Sequence, residues 1–470
     1  MMKYITLVTI SILTTSLFGQ MQNAASMQSS APEGTSLGAN NTLTANGIAL
    51  GNRVKMRGFV DFRFDYTDLD DLRDDDKRFR TASDLDFLFD FSPVTGEVHL
   101  AASSGGVAME QAFLRYNFNR DFSFTAGRQL TALSFEKDEA PNMYQTSYAY
   151  LTDLSEDTEG GTAALESFVG INSFRTTGAT IEDGFNSALT AISSLTPATT
   201  LGGEGFTEVA ANHTGTVSGV TAANTVTEIG DSLQLPGFRR NYVDGIRLNY
   251  NNGQFGIVGG LHNGYFTDSD HLNDGNIGLD IAASVMIIPG LEFRLGFGYE
   301  NNDAYNNSIS GYNKWASGFI SDLNDDIDND NTLVNHAFYK DFASKVFMFP
   351  ESDDISQFNT WLSYQTGGLT LALELDIWNI YVIDMWNLMF LANYQFNDYF
   401  GLTFRYSHED FEADVPMGGH GDSNRFTIGP MFTITDYLTI GIEYSHSELD
   451  STITGDTDID ELYAETIFSF

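Results

Sequence analysis

The architecture of this chain can be inferred first from residues 54–66, which read VKMRGFVDFRFDY. Val60, Phe62 and Phe64 alternate with charged residues, and Phe59 is the one apolar residue that falls on the charged face. Successive side chains of a β-strand point to opposite faces of its sheet, which is the period seen here. This stretch therefore predicts a strand with one apolar face and one charged face.

The alternation recurs to the end of the chain, and the connections between the alternating stretches differ in length. Turns such as 251–254 and 289–290 are short, whereas the connections 67–83, 264–276, 301–356 and 448–459 are long. Two connections of the second set, near 103–106 and 380–384, are short exceptions. Short turns at one end and long loops at the other are typical of a transmembrane β-barrel. We predict an all-β fold, a transmembrane antiparallel β-barrel of about 16 strands (range about 14 to 18) with long extracellular loops and short periplasmic turns. A large secreted β-sandwich is the less favoured alternative, because it has no reason to keep turns short at one end only.

The last residues continue the same pattern. Leu462, Ala464 and Thr466 lead on one face to Phe468 and Phe470. A chain that ends on such an aromatic strand resembles outer-membrane barrel proteins, in which the closing strand is recognised by the barrel assembly machinery. Closure of the barrel by this strand would also remove the sheet edges that lipid does not tolerate.

Composition excludes several classes of protein. The 470 residues include 64 Asp and Glu against 23 Lys and Arg, a net charge of -41, and no cysteine. Without cysteine there is no disulfide scaffold, thiolate metal site or cysteine nucleophile. An acidic excess of this size disfavours binding to nucleic acid phosphates. The aromatic content of 13% is too high for an acidic disordered chain, so the chain is expected to fold.

The N-terminus is predicted to direct export. Residues 1–19 combine Lys3, an apolar stretch over 5–18 and a small residue at Gly19, the pattern of a cleaved secretory signal peptide. Residues 20–51 are rich in small polar residues without a period and are expected to form a flexible periplasmic leader. Residues 52–470 would then form the barrel in the outer membrane of a Gram-negative cell.

The charged face of the strands predicts a water-filled lumen. Charges confined to one face, opposite an apolar face that contacts lipid, indicate a wet interior, and sixteen strands enclose more space than side chains alone can fill. The alternative is that the charges pair and close a narrow barrel. The predicted pore-lining residues are Arg57, Asp61, Arg63, Asp65, Arg115, Arg247, Glu292, Arg294, Glu374, Arg405, Arg425 and Glu443.

The connection 131–240 is far longer than a surface loop needs to be. We expect its first part, 131–151, to fold inward and narrow the pore, with Glu136, Asp138 and Glu139 near the constriction. An external cap over the mouth is the alternative.

Two patterns suggest other chemistry. His408 and His446 are each flanked by serine, but neighbours on a strand point to opposite faces, so an adjacent Ser and His cannot form a hydrolase pair. The aspartates at 325–330 and 456–460 lack the glycine and glutamate of a calcium loop, and solvated acidic loops are the favoured interpretation. No enzyme activity and no cofactor is therefore predicted.

One stretch resembles a known family. Residues 124–136, FTAGRQLTALSFE, together with 140–142 and 144–151, resemble the OmpL-like β-barrel porin family, in which a Gly-basic strand end runs into a Thr-Pro-Phe-Gly-like turn and an acidic residue. Ala132 and Ser134 stand where that family has Pro and Gly. The resemblance implies a passive diffusion channel.

These observations favour an outer-membrane porin that conducts small hydrophilic solutes with a weak preference for cations. A surface receptor or adhesin acting through the large acidic loops is the alternative function. The expected partners are outer-membrane lipid, the barrel assembly machinery, small solutes and, as one candidate assembly, a second and third copy in a homotrimer.

Overall fold

The structure of the chain is a computed structural model. The structure describes residues 48–51, 53–69, 73–103, 106–136, 143–151, 242–264, 277–301, 317, 321, 354–380, 383–413, 420–452 and 455–470. The predicted signal peptide, most of the predicted leader and residues 152–241 lie outside these ranges. Within them, no helix is long and apolar enough to cross a membrane.

Sixteen antiparallel strands close into a barrel, which confirms the predicted fold class. Each strand pairs with its neighbour in sequence, and the ring closes where the last strand pairs with the first long one, with Phe468 opposite Val60. A further two-residue strand pairs with the start of that first long strand. The strands are β1 (Ile48–Ala49), β2 (Val54–Leu69), β3 (Arg73–Phe91), β4 (Val94–Ser103), β5 (Gly106–Asn117), β6 (Phe122–Leu130), β7 (Tyr242–Asn251), β8 (Phe255–His262), β9 (Gly278–Ile288), β10 (Leu291–Glu300), β11 (Ile355–Thr366), β12 (Leu369–Ile380), β13 (Ile383–Asn397), β14 (Phe400–Ala413), β15 (His420–Thr435), β16 (Leu438–Ser451) and β17 (Thr457–Ser469).

The two faces of the wall follow the alternation in sequence. Outward side chains are apolar and exposed, as Phe62 and Leu373 show with 46% exposure each. Their neighbours turn inward, and Glu374 is only 1% exposed. Because lipid offers no hydrogen bonds, a strand in a membrane must keep its charges on the side away from lipid.

At one end of the barrel every connection is short, whereas the other end carries long connections together with three short ones, at 70–72, 104–105 and 381–382. The pairs β3–β4, β5–β6, β7–β8, β9–β10, β11–β12, β13–β14 and β15–β16 are joined by short turns, all at the same end. At the other end, the connection from β6 to β7 runs from Leu130 to Tyr242 and the one from β10 to β11 from Glu300 to Ile355.

Strand β3 begins earlier than the sequence pattern predicts. Residues 67–83 were expected to form a loop because they are rich in charge, yet β3 pairs with β2 through most of this range. Inward Arg80 lies 2.8 Å from Asp65, and the outward ring of Phe79 stacks on Phe62 with centroids 5.6 Å apart. In the first half of β3, ion pairs with β2 stabilise the strand where other strands carry apolar side chains. A prediction based on apolar alternation therefore does not find this part of the strand.

Candidate pore interior

The first residues after β6 lie inside the barrel against the wall. We call residues 131–136 and 143–151 the inner segment. The backbone N–H of Ala132 donates to Asp280 on β9 at 2.8 Å, and that of Phe135 donates to Glu374 on β12 at 2.7 Å. Leu130, where β6 ends, and Leu133 are fully buried. Carboxylates of the wall thus serve as hydrogen-bond acceptors for a backbone that no strand pairs with.

The second part of the inner segment contacts the other side of the wall. The N–H of Thr146 donates to Glu443 on β16 at 2.6 Å, and its hydroxyl donates to Glu465 on β17 at 2.8 Å. The hydroxyl of Ser147 also donates to Glu443. Further along, the N–H of Leu151 donates to Glu409 on β14 at 2.7 Å. The inner segment is therefore held from β9 through to β17 by inward carboxylates.

Arginines of the wall bind the carbonyl groups of the same segment. Arg405 on β14 donates to Glu136 at 2.7 Å and to the carbonyl oxygen of Tyr148 at 2.7 Å, so it connects both parts. Arg294 on β10 donates to the carbonyl of Ala132 at 2.6 Å. Arg247 on β7 bridges the carbonyl of Leu130 and Asp280, at 2.7 and 2.9 Å. Each buried guanidinium thus has an acceptor in place of water.

An apolar cluster lies beneath the inner segment. The ring of Phe135 packs edge-on against Trp361 with centroids 5.5 Å apart and parallel to Tyr144 at 6.2 Å. Met389 and Leu391 of β13 complete the contact and are fully buried. Apolar alternation alone does not distinguish these residues from the lipid-facing ones. Met389 and Leu391 flank the outward Phe390 on β13, so the period of two places both of them on the inward face.

Ser134 adopts a backbone conformation that favours glycine. Its φ is +78°, in the left-handed region, which costs a residue with a Cβ roughly 1–2 kcal/mol. The N–H of Ser134 donates to Asn359 of β11 at 3.1 Å, which fixes the backbone there. This is the position at which the OmpL-like family has Gly.

The remaining predicted arginines on the wall pair with acids of the wall. Arg57 lies 2.6 Å from Asp86, Arg63 2.6 Å from Asp65, and Arg115 3.9 Å from Glu97. Arg425 lies 2.6 Å from Glu461. Asp61 and Glu292 are also inward and buried.

The alternation predicts that the inward charges contact water. In the structure most of these side chains are buried. Arg405 is 0% exposed, Glu374 1%, and Arg63 7%. Arg405 and Glu374 contact the inner segment, and Arg63 contacts Asp65 of the wall. Partial exposure of inward side chains is retained on β2 and β3, where Arg57 is 28% and Arg80 20% exposed.

Other predicted residues fall as follows. Asp138, Glu139 and the aspartates of 325–330 lie outside the described residues. The outward rings of Phe468 and Phe470 lie 6.0 Å apart, and the backbone of Phe470 exchanges hydrogen bonds of 2.9 and 3.0 Å with Gly58 of β2. Asp456 is exposed.

The histidines flanked by serine lie on the outward face. His408 contacts Asn424 at 3.1 Å, and His446 contacts Asp460 at 3.0 Å. Ser407 and Ser445 point inward and are buried. Serine and histidine therefore occupy opposite faces at both sites, as the period of two requires.

Comparison with known proteins gives structural likeness only. No protein-family profile matches the chain, and no curated protein does. Among solved structures, OmpF of Salmonella typhi in complex with daunomycin is 11% identical, with 89% of this chain and 98% of that chain covered and a TM-score of 0.48. The outer membrane channel DcaP of Acinetobacter baumannii is 12% identical, with 91% and 99% covered and a TM-score of 0.46. An anion-selective porin from Comamonas acidovorans is 10% identical, with 89% and 99% covered and a TM-score of 0.48. At these levels the likeness says nothing about solute, selectivity or assembly.

Proposed function

We propose that this chain is an outer-membrane porin, a passive diffusion channel for small hydrophilic solutes whose lumen is narrowed by the inner segment. The proposal includes membership of the OmpL-like porin family, on the strength of residues 124–136. It also includes export through a signal peptide at 1–19 and contact of the outward apolar face with lipid. The strand that ends in Phe468 and Phe470 is the part recognised by the barrel assembly machinery, and the assembled form is a homotrimer.

The observation that carries the proposal is the course of the inner segment along the wall. Its hydrogen bonds reach strands β9 to β17, including Asp280 at one end and Glu465 at the other. The inward side chains of β2 and β3 retain partial exposure and carry both signs of charge, with Asp76 at 37%, Arg57 at 28%, Arg78 at 24% and Arg80 at 20%. A solute pathway along β2 and β3, beyond the last strand that the inner segment contacts, accounts for this exposure.

A weak preference for cations is the electrostatic part of the proposal. The net charge of -41 concentrates cations near the mouth within a Debye length of about 8 Å at physiological ionic strength. Arg57, Arg78 and Arg80 oppose this inside the barrel. The preference is therefore expected to be small.

Single-channel recording in a planar bilayer tests the proposal. Because the natural chain has no cysteine, a single introduced thiol is unique. We expect stepwise conductance from the purified protein and, for Arg57→Cys, a further drop when a water-soluble thiol reagent is added. Phe62→Cys is the matched control, since this residue is outward on the same strand and its modification should leave conductance unchanged.

Absence of conductance steps from folded protein would contradict the channel. Equal block of Arg57→Cys and Phe62→Cys would contradict the pathway beside β2.

A further inference from the structure

A second group of inward side chains lies on β3 and β4, outside the strands β9 to β17 to which the described hydrogen bonds of the inner segment run. Ligand atoms of Asp84, Asp86 and His99 all lie within 4.8 Å of one another. The three residues are 4%, 3% and 0% exposed. Two carboxylates and an imidazole at this spacing form a potential metal-binding group.

Strand register places a fourth polar side chain beside them. Asp86 is directly opposite His99 on β4, and His99 is directly opposite Gln111 on β5. Residues in register on one face have Cβ atoms about 5 Å apart. A bulge follows at once, where Leu100 pairs with Met109 and the register shifts by one residue. Bulges are common next to functional sites because they redirect side chains.

Gln111 provides an independent sign that a ligand belongs here. It is 0% exposed, and neither its amide oxygen nor its amide nitrogen has a hydrogen-bond partner in the described part of the chain. Burying an amide without hydrogen-bond partners is unfavourable, because the group loses its hydrogen bonds to water and gains none in return. A bound cation would use the amide oxygen.

The carboxylate of Asp84 shows the same deficiency. Both of its oxygens are buried without a hydrogen-bond donor among the described residues, and it lies against the carboxylate of Asp86. Two carboxylates in contact repel unless a proton or a cation lies between them. A cation at this point would also satisfy Gln111, which a single shared proton would not.

Charge within the group is not balanced by arginine. Four carboxylates (Asp84, Asp86, Glu97 and Glu110) interact within the group, against the two guanidinium groups of Arg57 and Arg115. With a neutral imidazole, four negative less two positive charges leave -2. A divalent cation neutralises this remainder.

His99 is oriented to act as a ligand. Its Nε2 lies 3.2 Å from Glu97, so Nε2–H can donate there and leave the lone pair of Nδ1 directed at the side of Asp86, 2.9 Å away. A carboxylate that holds the far nitrogen of a ligating histidine is a common feature of metal sites.

We propose that Asp84, Asp86 and His99, with the amide oxygen of Gln111, bind one divalent first-row transition cation. An imidazole with carboxylates suits Zn²⁺ and its neighbours, whereas Mg²⁺ favours oxygen ligands and retains its waters. Arg57, partly exposed to the lumen, lies 2.6 Å from Asp86 and marks the route of entry.

Metal content of the full-length, detergent-folded protein tests the proposal. After chelator treatment and dialysis against Zn²⁺, we expect wild type to retain one more equivalent per chain than His99→Gln. Asp84→Asn and Gln111→Leu should lower the affinity at least tenfold, the range seen when a ligand or its support is removed. With Co²⁺ in place of Zn²⁺, wild type should show visible absorption bands that these variants lack.

His446→Gln is the matched control. His446 also lies 3.0 Å from an aspartate, but both side chains are partly exposed on the outward face and the described residues add no third ligand. Its Zn²⁺ content should equal that of wild type.

Equal Zn²⁺ in wild type and His99→Gln would overturn the site, as would loss of the ion from His446→Gln. Gln111→Leu changes no charge. If Asp84→Asn does not fold, the Zn²⁺ affinity of Gln111→Leu still tests the site. Absence of bound Zn²⁺ from wild type would leave a proton shared by Asp84 and Asp86 as the explanation. None of these readouts depends on conductance, so the porin proposal can fail or stand separately.

Discussion

At the scale of single residues, Arg405 is the side chain of the wall that connects both parts of the inner segment. One guanidinium nitrogen donates to Glu136, and another donates to the carbonyl oxygens of Ser147 and Tyr148. The side chain is 0% exposed. Removing one partner from a buried charge network costs far more than losing an exposed pair, because the groups left behind are shielded from water.

We therefore predict that Arg405→Ala lowers the free energy of unfolding by about 3–5 kcal/mol. Urea-induced unfolding in detergent micelles, followed by gel mobility, measures the change. Arg120→Ala is the control, because Arg120 pairs with Asp121 in a turn where its side chain is 83% exposed. The control should unfold at the wild-type midpoint, and an Arg405→Ala midpoint equal to it would show that the network adds nothing.

At the scale of elements, the strands are defined by polarity as much as by hydrophobicity. β3 extends through a charged stretch, and β16 and β17 likewise extend to Ser451 and from Thr457, into the predicted loop 448–459. The inner segment forms no strand and depends on inward carboxylates for its hydrogen bonds. Glu443 accepts from the backbone N–H groups of both Thr146 and Ser147, so it is the principal anchor of the second part.

We predict that Glu443→Gln loosens the inner segment, because a neutral amide oxygen accepts these bonds less strongly than a carboxylate. Single-channel conductance should rise and fluctuate more than in wild type. Glu461→Gln is matched to it, since Glu461 is buried on the adjacent strand but pairs with Arg425 and Tyr463 of the wall. Both variants remove one negative charge from the interior, so the same conductance in both would contradict the anchoring role of Glu443.

At the scale of the whole molecule, two charge distributions oppose each other. The chain as a whole carries -41, while the inward side chains that retain exposure on β2 and β3 include Arg57, Arg78 and Arg80. Exposed charges act over about one Debye length and are screened by salt, whereas charges inside a narrow lumen are screened less.

We predict a weak cation preference at low salt that fades at high salt, and a larger preference for Arg78→Gln/Arg80→Gln. Reversal potentials across a salt gradient measure both. Arg120→Gln, which removes one exposed charge at the turn end, should leave the reversal potential near the wild-type value. Strong anion selectivity of the wild type at low ionic strength would show that the inward arginines control the pore.

The sequence by itself determined the barrel, because the alternation of apolar and polar residues within a strand shows which side chains face lipid and which face the interior. Phe62 outward and Arg63 inward follow from a period of two that needs no knowledge of any other strand. The lengths of the connections then separate the two ends. The length of the connection 131–240 likewise predicts that its first part, 131–151, folds inward.

Only the tertiary structure decided what the inward charges do. Arg405 and Glu136 are far apart in sequence, and their 2.7 Å contact exists because the barrel closes around the inner segment. The same holds for Asp84 and Gln111, which the register of β3, β4 and β5 brings to one patch. Alternation predicts which face a side chain occupies. The partners of that side chain depend on strand register and on the inner segment, whose sequence has no regular period. The physical reason is that a buried charge is stabilised by whatever group replaces water, and that group is supplied by distant parts of the chain.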